Sequence, residues 1–430
     1  MRRHLRRNYI VHFVEGGLFS GGLAFIAMDS VLPTMVRSLG GPNWLISLMP
    51  MLLFLGFMWP PLFMAHVTEK LHSLKRFAVL LGVPQRLPFL LAGCALWFWA
   101  EDYPRLVLVL VALSPLMAGI CGGIVWGAWV ELTSRMIPPN RRSSVMALRA
   151  IFGAGIGIFA GSVIKTVLEN NPGPQGYAIL HFIAFGVAML SFLAFLFIKE
   201  PRRIPDTKTS QRGLIANLKS MPAIVRGDTR FRFFVIGQAF GAGFFIMTPF
   251  LAIHALEVVD RGEAFLGVLV QAQMIGNISG NFLAGWIGDR WGGRIVLLWS
   301  KLIFIALALG AIYNVAEWGF MLLFFLFGFG FSFHLVGRST LSIEICPEVR
   351  RPTYLALMQF LLLPAMLVSA VLATTVREVF GTLQPAAILA AIAMTLSYFF
   401  LRKIQEPRGG LPNAAPSDLS TRVDSTPTAS

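Results

Sequence analysis

The chain has 430 residues, of which 56% are hydrophobic and only 13% charged, against about 25% charged in an ordinary soluble domain. So little charge over such a length leaves lipid as the only solvent that suits the apolar residues. The net charge of +15 would suit nucleic acid if it formed one patch on a soluble fold, but the cations fall between apolar runs, as in cytoplasmic membrane loops, which argues for membrane lipid as partner and against nucleic acid.

A bilayer-spanning helix needs about 20 mostly apolar residues, and twelve such runs follow one another. Their cores are 10–32, 44–65, 77–99, 105–130, 144–167, 177–198, 232–255, 265–287, 295–314, 318–342, 354–376 and 384–401. The opening MRRHLRR imitates a signal peptide, but the apolar run behind it is long and ends without a small-x-small cleavage site, so it reads as the first membrane helix. Arg2, Arg3, Arg6 and Arg7 precede helix 1; Lys70, Lys75 and Arg76 follow helix 2; Arg135, Arg141 and Arg142 follow helix 4. Arg350 and Arg351 follow helix 10, and Arg402, Lys403 and Arg408 follow helix 12. The opposite loops hold Glu101, Asp102, Glu169, Glu257, Asp260, Glu263 and Glu317. By the positive-inside rule both termini are cytoplasmic. Cys94, Cys121 and Cys346 lie in or beside apolar runs without metal-ligand spacing, so they read as small apolar side chains and no metal site is expected.

The longest connection, 199–231, is basic and falls midway, which divides the chain into an N-terminal six-helix bundle (1–198), a cytoplasmic linker (199–231), a C-terminal six-helix bundle (232–402) and a tail (403–430). Leu214 to Val225 of the linker reads either as a helix on the membrane surface or as a solvated connection. The tail is rich in Pro, Ser, Thr and Ala and is expected to be disordered. An internal repeat supports the division. PPNRRSSVMAL (Pro138 to Leu148) follows helix 4 and PEVRRPTYLAL (Pro347 to Leu357) follows helix 10, and they align without a gap, as in a duplicated bundle.

Between helices 8 and 9 the chain reads GWIGDRWGGR, Gly285 to Arg294. Gly285, Asp289, Arg290, Gly292 and Arg294 give the spacing G-x-x-x-D-R-x-G-x-R. Glycines allow a tight turn between closely packed helices, the acid can cap or bridge a helix end, and the arginines suit a cytoplasmic face. This stretch resembles the loop signature of the major facilitator superfamily of membrane transporters. The resemblance covers roughly residues 8–402 and implies an all-α membrane fold of two six-helix bundles that rock about a central cavity lined by helices 1, 4, 7 and 10, with the signature as a conformational gate. The first copy of the signature is degraded: Ala65 to Phe77 reads AHVTEKLHSLKRF, which keeps Glu69, Lys70, Lys75 and Arg76 but neither glycine. Helix 5 has Gly153, Gly155, Gly157 and Gly161 without the Gly-Pro pair of many drug–proton antiporters, and helix 4 lacks their intramembrane arginine. The sequence looks closest to poorly characterised bacterial permeases of the superfamily.

Charges within a span cost about 2.5–3.5 kcal/mol on insertion scales, so each calls for a partner or a role. Glu15 and Asp29 in helix 1, Arg86 in helix 3 and Arg149 in helix 5 are the candidates for proton coupling or for static ion pairs, with Glu15 paired to one of the arginines. Asp29 lies near the outer interface, where hydration would suffice. Gln238 and Thr248 in helix 7, and His334 and Arg338 one turn apart in helix 10, are candidates to line the cavity. Arg338 suits an anionic group, or else snorkels to the inner surface. Gln273, Asn277 and Asn281 recur every four residues in helix 8 and suit either interhelical glue or substrate contact. Trp126 and Trp129 read as interface anchors.

No HExxH, no phosphate loop and no catalytic constellation appears, so neither an enzyme nor a cofactor is expected. The leading expectation is a monomeric multi-pass permease of the bacterial inner membrane moving a small solute by alternating access, by proton-coupled symport or facilitated diffusion. Drug or metabolite efflux is one alternative. A transporter-like sensor or assembly factor is the other.

Overall fold

The computed structural model describes residues 5–200, 225–346 and 351–405. The first four residues, nearly all of the stretch read as a surface helix, Pro347 to Arg350 of the repeat and the tail beyond Gln405 lie outside the described residues. The described residues are almost wholly helical: α1 Leu5–Ala24, α2 Val31–Ser38, α3 Asn43–Met58, α4 Pro60–Lys70, α5 Leu74–Trp99, α6 Pro104–Met136, α7 Pro139–Asn170 and α8 Pro174–Leu196 form the first half. The second half is α9 Thr229–Gly241, a 3₁₀ turn Ala242–Ile246, α10 Thr248–Val259, α11 Phe265–Trp291, α12 Gly293–Tyr313, α13 Glu317–Ile345, α14 Arg351–Phe380 and α15 Gln384–Arg402.

Three crossings are broken, and proline accounts for each. Pro33 has no N–H for the carbonyl of Asp29, so α1 and α2 are separated by turns. Pro60 and Pro61 divide α3 from α4, and Pro249 divides the seventh crossing at the 3₁₀ turn. With these pairs joined, twelve crossings result. Among the described residues, ten stretches are long and apolar enough to span a membrane. The other two are the interrupted first crossing and α11, whose Gln271, Gln273, Asn277 and Asn281 lower its hydropathy.

The helices of each half pack mainly on one another, and the halves meet along α7 with α11 and along α3 with α14. At the α7–α11 seam the backbones touch through Gly161 and Gly267: a Cβ on Gly161 would lie 2.5 Å from the Gly267 carbonyl oxygen, so only glycine allows this approach. Among the described residues, the hydrogen bonds and ion pairs between the halves all sit toward the end at which α2, α7, α10 and α14 finish, here termed the outer end from the loop-charge asymmetry. One apolar core, including Leu32, Met35, Phe250, Leu251, Leu266 and Ala373, runs continuously through both halves at this end.

Candidate functional site

A cavity lies near mid-span. Phe54 and Met58 of α3 close one side; Gln238 and Gly241 of α9, Phe244 and Phe245 of the 3₁₀ turn, Phe304 of α12, Phe331, His334 and Arg338 of α13 and Leu362 and Met366 of α14 supply the rest. The break in the seventh crossing aims two phenylalanines into this space where a straight helix would present one face.

The polar end of the cavity is cationic: Arg338 lines it, and Lys301 stands directly behind the lining residue His334. Lys301 of α12 is completely buried, and its ammonium donates to Nδ1 of His334 at 3.1 Å. This assigns the ring proton of His334 to Nε2. Arg338 donates to Oε1 of Gln359 on α14 at 2.7 Å. Gln238 is buried, and both polar atoms of its amide lack a hydrogen-bond partner. Among the described residues, no carboxylate bonds to either cation.

Of the residues expected to line a cavity, the structure thus brings together Gln238, His334 and Arg338. Thr248 is buried with an unpartnered hydroxyl but does not line this space. Gln273, Asn277 and Asn281 lie elsewhere: Ser332 of α13 donates to the Asn277 amide oxygen at 3.2 Å and Asn281 donates to the Ser332 hydroxyl at 3.0 Å, so both amides join α11 to α13. Gln273 donates to the carboxylate of Asp29 at 2.5 Å across the seam between the halves. Asp29 therefore has a protein partner where hydration was the expectation, because the broken first crossing carries it inward against α11.

The N-terminal half holds a second polar cluster. Arg149 donates to Glu15 at 2.8 Å and to the His12 carbonyl at 2.9 Å, and its guanidinium lies 5.0 Å from the Trp129 ring. Trp129 also packs on His12, with centroids 5.1 Å apart, so it belongs to this cluster and not to a lipid-facing belt. Arg86 gives its donors to the carbonyls of Ala188, at 2.7 Å, and Gly82, at 2.8 Å. Ser191 donates to the Glu15 carbonyl at 2.8 Å and links the two groups.

In the GWIGDRWGGR stretch, Gly292 takes φ +86°, a turn conformation costly for other residues. Arg290 stacks over Trp286 at 4.2 Å, Arg294 donates to the Arg402 carbonyl at 2.7 Å, and the Gly293 N–H donates to Glu344 at 3.3 Å. Gly285 and Asp289 sit in the last two turns of α11. The loop thereby ties α11 and α12 to the inner ends of α13 and α15.

The outer end carries its own charged group. Glu257 of α10 accepts from Arg37 of α2 at 2.5 Å and from Arg377 of α14 at 3.2 Å. Nearby, Glu263 in the α10–α11 turn faces Tyr177 and Ser38; burial pushes its carboxyl above the ordinary range, and the two hydroxyls oppose that rise. The Tyr177 hydroxyl nevertheless completes no hydrogen bond.

Sequence reasoning overlooked Lys301, His12 and Gln359. Lys301 was legible as a lysine within an apolar run, eight residues from the start of α12, or about 12 Å at 1.5 Å per residue. Its burial among neighbouring helices has no local signature.

Two bundles of this kind, with breaks at the first, second and seventh crossings and a cavity near mid-span, define a multi-pass helical membrane fold. Residues 239–427 match the family profile of the Major Facilitator Superfamily. The nucleoside transporter NupG, in a point mutant, superposes with TM-score 0.70 at 14% identity, covering 92% of this chain and 99% of that one. The D-xylose–proton symporter gives 0.70 at 13%, covering 94% and 99%. The E. coli fucose:proton symporter, FucP, gives 0.62 at 17%, covering 94% and 100%. No match was found among curated proteins. The chain has the major facilitator fold, and its second half carries the sequence profile of that superfamily.

Proposed function

We propose that the chain moves a small solute across a membrane by alternating access, with the mid-span cavity as the cargo site. One observation carries this reading: the cavity takes walls from both halves, while the bonds seen between the halves among the described residues lie at the outer end. Separating that end would expose the cavity to the other side without rebuilding either bundle. The similarity of the fold to nucleoside, xylose and fucose carriers supports a small solute as cargo. The bacterial inner membrane is the proposed location and the monomer the proposed unit, since the cavity is complete within one chain.

For energy coupling we read the Glu15–Arg149 pair as a proton-sensitive element of a symporter, with passive facilitation as the outcome if that pair is only structural. Thermal unfolding of the purified chain against sugars, amino acids, nucleosides, organic acids and lipophilic cations, at two pH values, identifies a binder by mass action. Counterflow of that solute in proteoliposomes then tests movement. A binder that gives no counterflow would make the chain a sensor, and a response to lipophilic cations alone would favour efflux. Gradient-driven uptake that persists unchanged in Glu15→Gln would remove the coupling role.

A further inference from the structure

The cationic end of the cavity holds more positive charge than its surroundings balance. Lys301 has a histidine nitrogen as its hydrogen-bond partner and Arg338 has an amide oxygen. An ion taken from water into a protein interior costs several kcal/mol unless it is paired. Such groups persist in a membrane protein mainly where they have a task. Gln238 adds an amide, nine-tenths buried and lining the same cavity, whose oxygen and nitrogen both lack partners.

Lys301 and Gln238 approach one point, and Arg338 lines the same cavity. A Cβ placed on Gly241 would lie 3.0 Å from the Lys301 ammonium, 3.4 Å from the Gln238 amide oxygen and 3.5 Å from the Ser397 hydroxyl. Glycine leaves that point open beside the Lys301 ammonium, with the Gln238 amide, whose nitrogen has no partner to donate to, next to it, while the Ser397 hydroxyl donates to the Gly237 carbonyl. The rest of the wall is of a different kind: Phe54, Phe244, Phe245, Phe304 and Phe331 line it. Aromatic faces suit a flat apolar body, and the cations suit a carboxylate.

We infer that the cavity takes a small organic anion with an aromatic or similarly flat body, its carboxylate held among Lys301, Arg338 and Gln238 and its ring against the phenylalanines. As a statement about cargo it rests on the transport reading, but binding is measurable apart from movement. In the free protein the cations are uncompensated, so the site is built at the expense of stability, and the ligand's carboxylate offsets one of the two charges.

The test uses the full chain in lipid nanodiscs and a set of aromatic carboxylates (benzoate, phenylacetate and cinnamate), each beside its neutral amide. At least one carboxylate should raise the unfolding temperature with concentration, and its amide should not. Lys301→Met should raise the unfolding temperature of the free protein and weaken carboxylate binding at least tenfold. A merely structural lysine would not give these opposite signs. Arg338→Gln should also weaken binding, and Gly241→Ala, which fills the open point, should weaken it without removing charge. An equal response to acid and amide, no response to any carboxylate, or full binding in Lys301→Met would overturn the inference. Counterflow separates the two readings. A carboxylate that binds without counterflow refutes transport and leaves the anion site standing, whereas counterflow of a neutral solute with no carboxylate binding refutes the anion site and leaves transport standing.

Discussion

Asp29 and Gln273, 244 residues apart in the chain, meet at 2.5 Å across the seam between the two halves. One belongs to the break in the first crossing and the other to α11, so the bond forms only while the outer end is closed. Hydrogen bonds to charged groups contribute about 1.5–3 kcal/mol. Gln273→Leu should therefore favour the outer-open state by roughly tenfold or more. In a variant without native cysteines, Thr34→Cys should react correspondingly faster with an impermeant maleimide added outside. An unchanged rate would mean that the bond does not hold the end shut.

Gly267→Val tests the same closure by bulk. A Cβ there would meet the Gly161 carbonyl and lie 2.6 Å from the Lys165 amide nitrogen, and neither backbone can give way. Overpacking of this kind costs about 1–3 kcal/mol. The closed seam should open, with faster outer labelling at Thr34→Cys and a lower unfolding temperature. Gly155→Val, at a position with open space around it, should change neither.

Glu15 and Arg149 form a largely buried pair. Removing one member of such a pair typically destabilises by about 3–5 kcal/mol, because the other charge is left alone. Arg149→Met should lower the unfolding midpoint sharply, and adding Glu15→Gln should recover most of the loss. Additive losses in the double variant would show that the two side chains act independently.

Glu263 provides the pH signature. Burial raises its carboxyl above the ordinary value of 4.5 in the folded protein. An acid whose folded value is raised favours folding below the ordinary value, and that contribution is lost as pH climbs through the raised value. Glu263→Gln should therefore unfold at a higher temperature than the parent at neutral pH, with the gap closing toward pH 4.5. A gap that widened on acidification would reverse the assigned sign.

Much of the fold was legible because lipid demands long apolar runs and loops display their charge openly. The break after Ala24 was harder to read, since Phe25, Ile26 and Ala27 continue the apolar run and only Pro33 marks the interruption. For the cavity, His334 and Arg338 could be found as neighbours one helical turn apart, and Gln238 as an amide in a span. Their convergence with Lys301 depends on α9, α12 and α13 packing together, which no local pattern encodes. The helix 8 amides show the converse: their regular spacing was visible, but whether a stripe faces cargo or another helix is decided by Ser332 on the partner helix.

The unbalanced cations of the C-terminal half also bear on voltage. Under the proposed alternating access, the bundle that holds Lys301 and Arg338 changes its attitude in the bilayer as the two ends exchange, so part of their charge would move through the membrane field. A full elementary charge crossing that field is worth about 2.3 kcal/mol per 100 mV. On that reading the return of the empty protein should run at a rate set by membrane potential, and a bound monocarboxylate, which offsets one of the two charges, should weaken that dependence. By that route the lysine inside α12 would make the empty protein an electrical device.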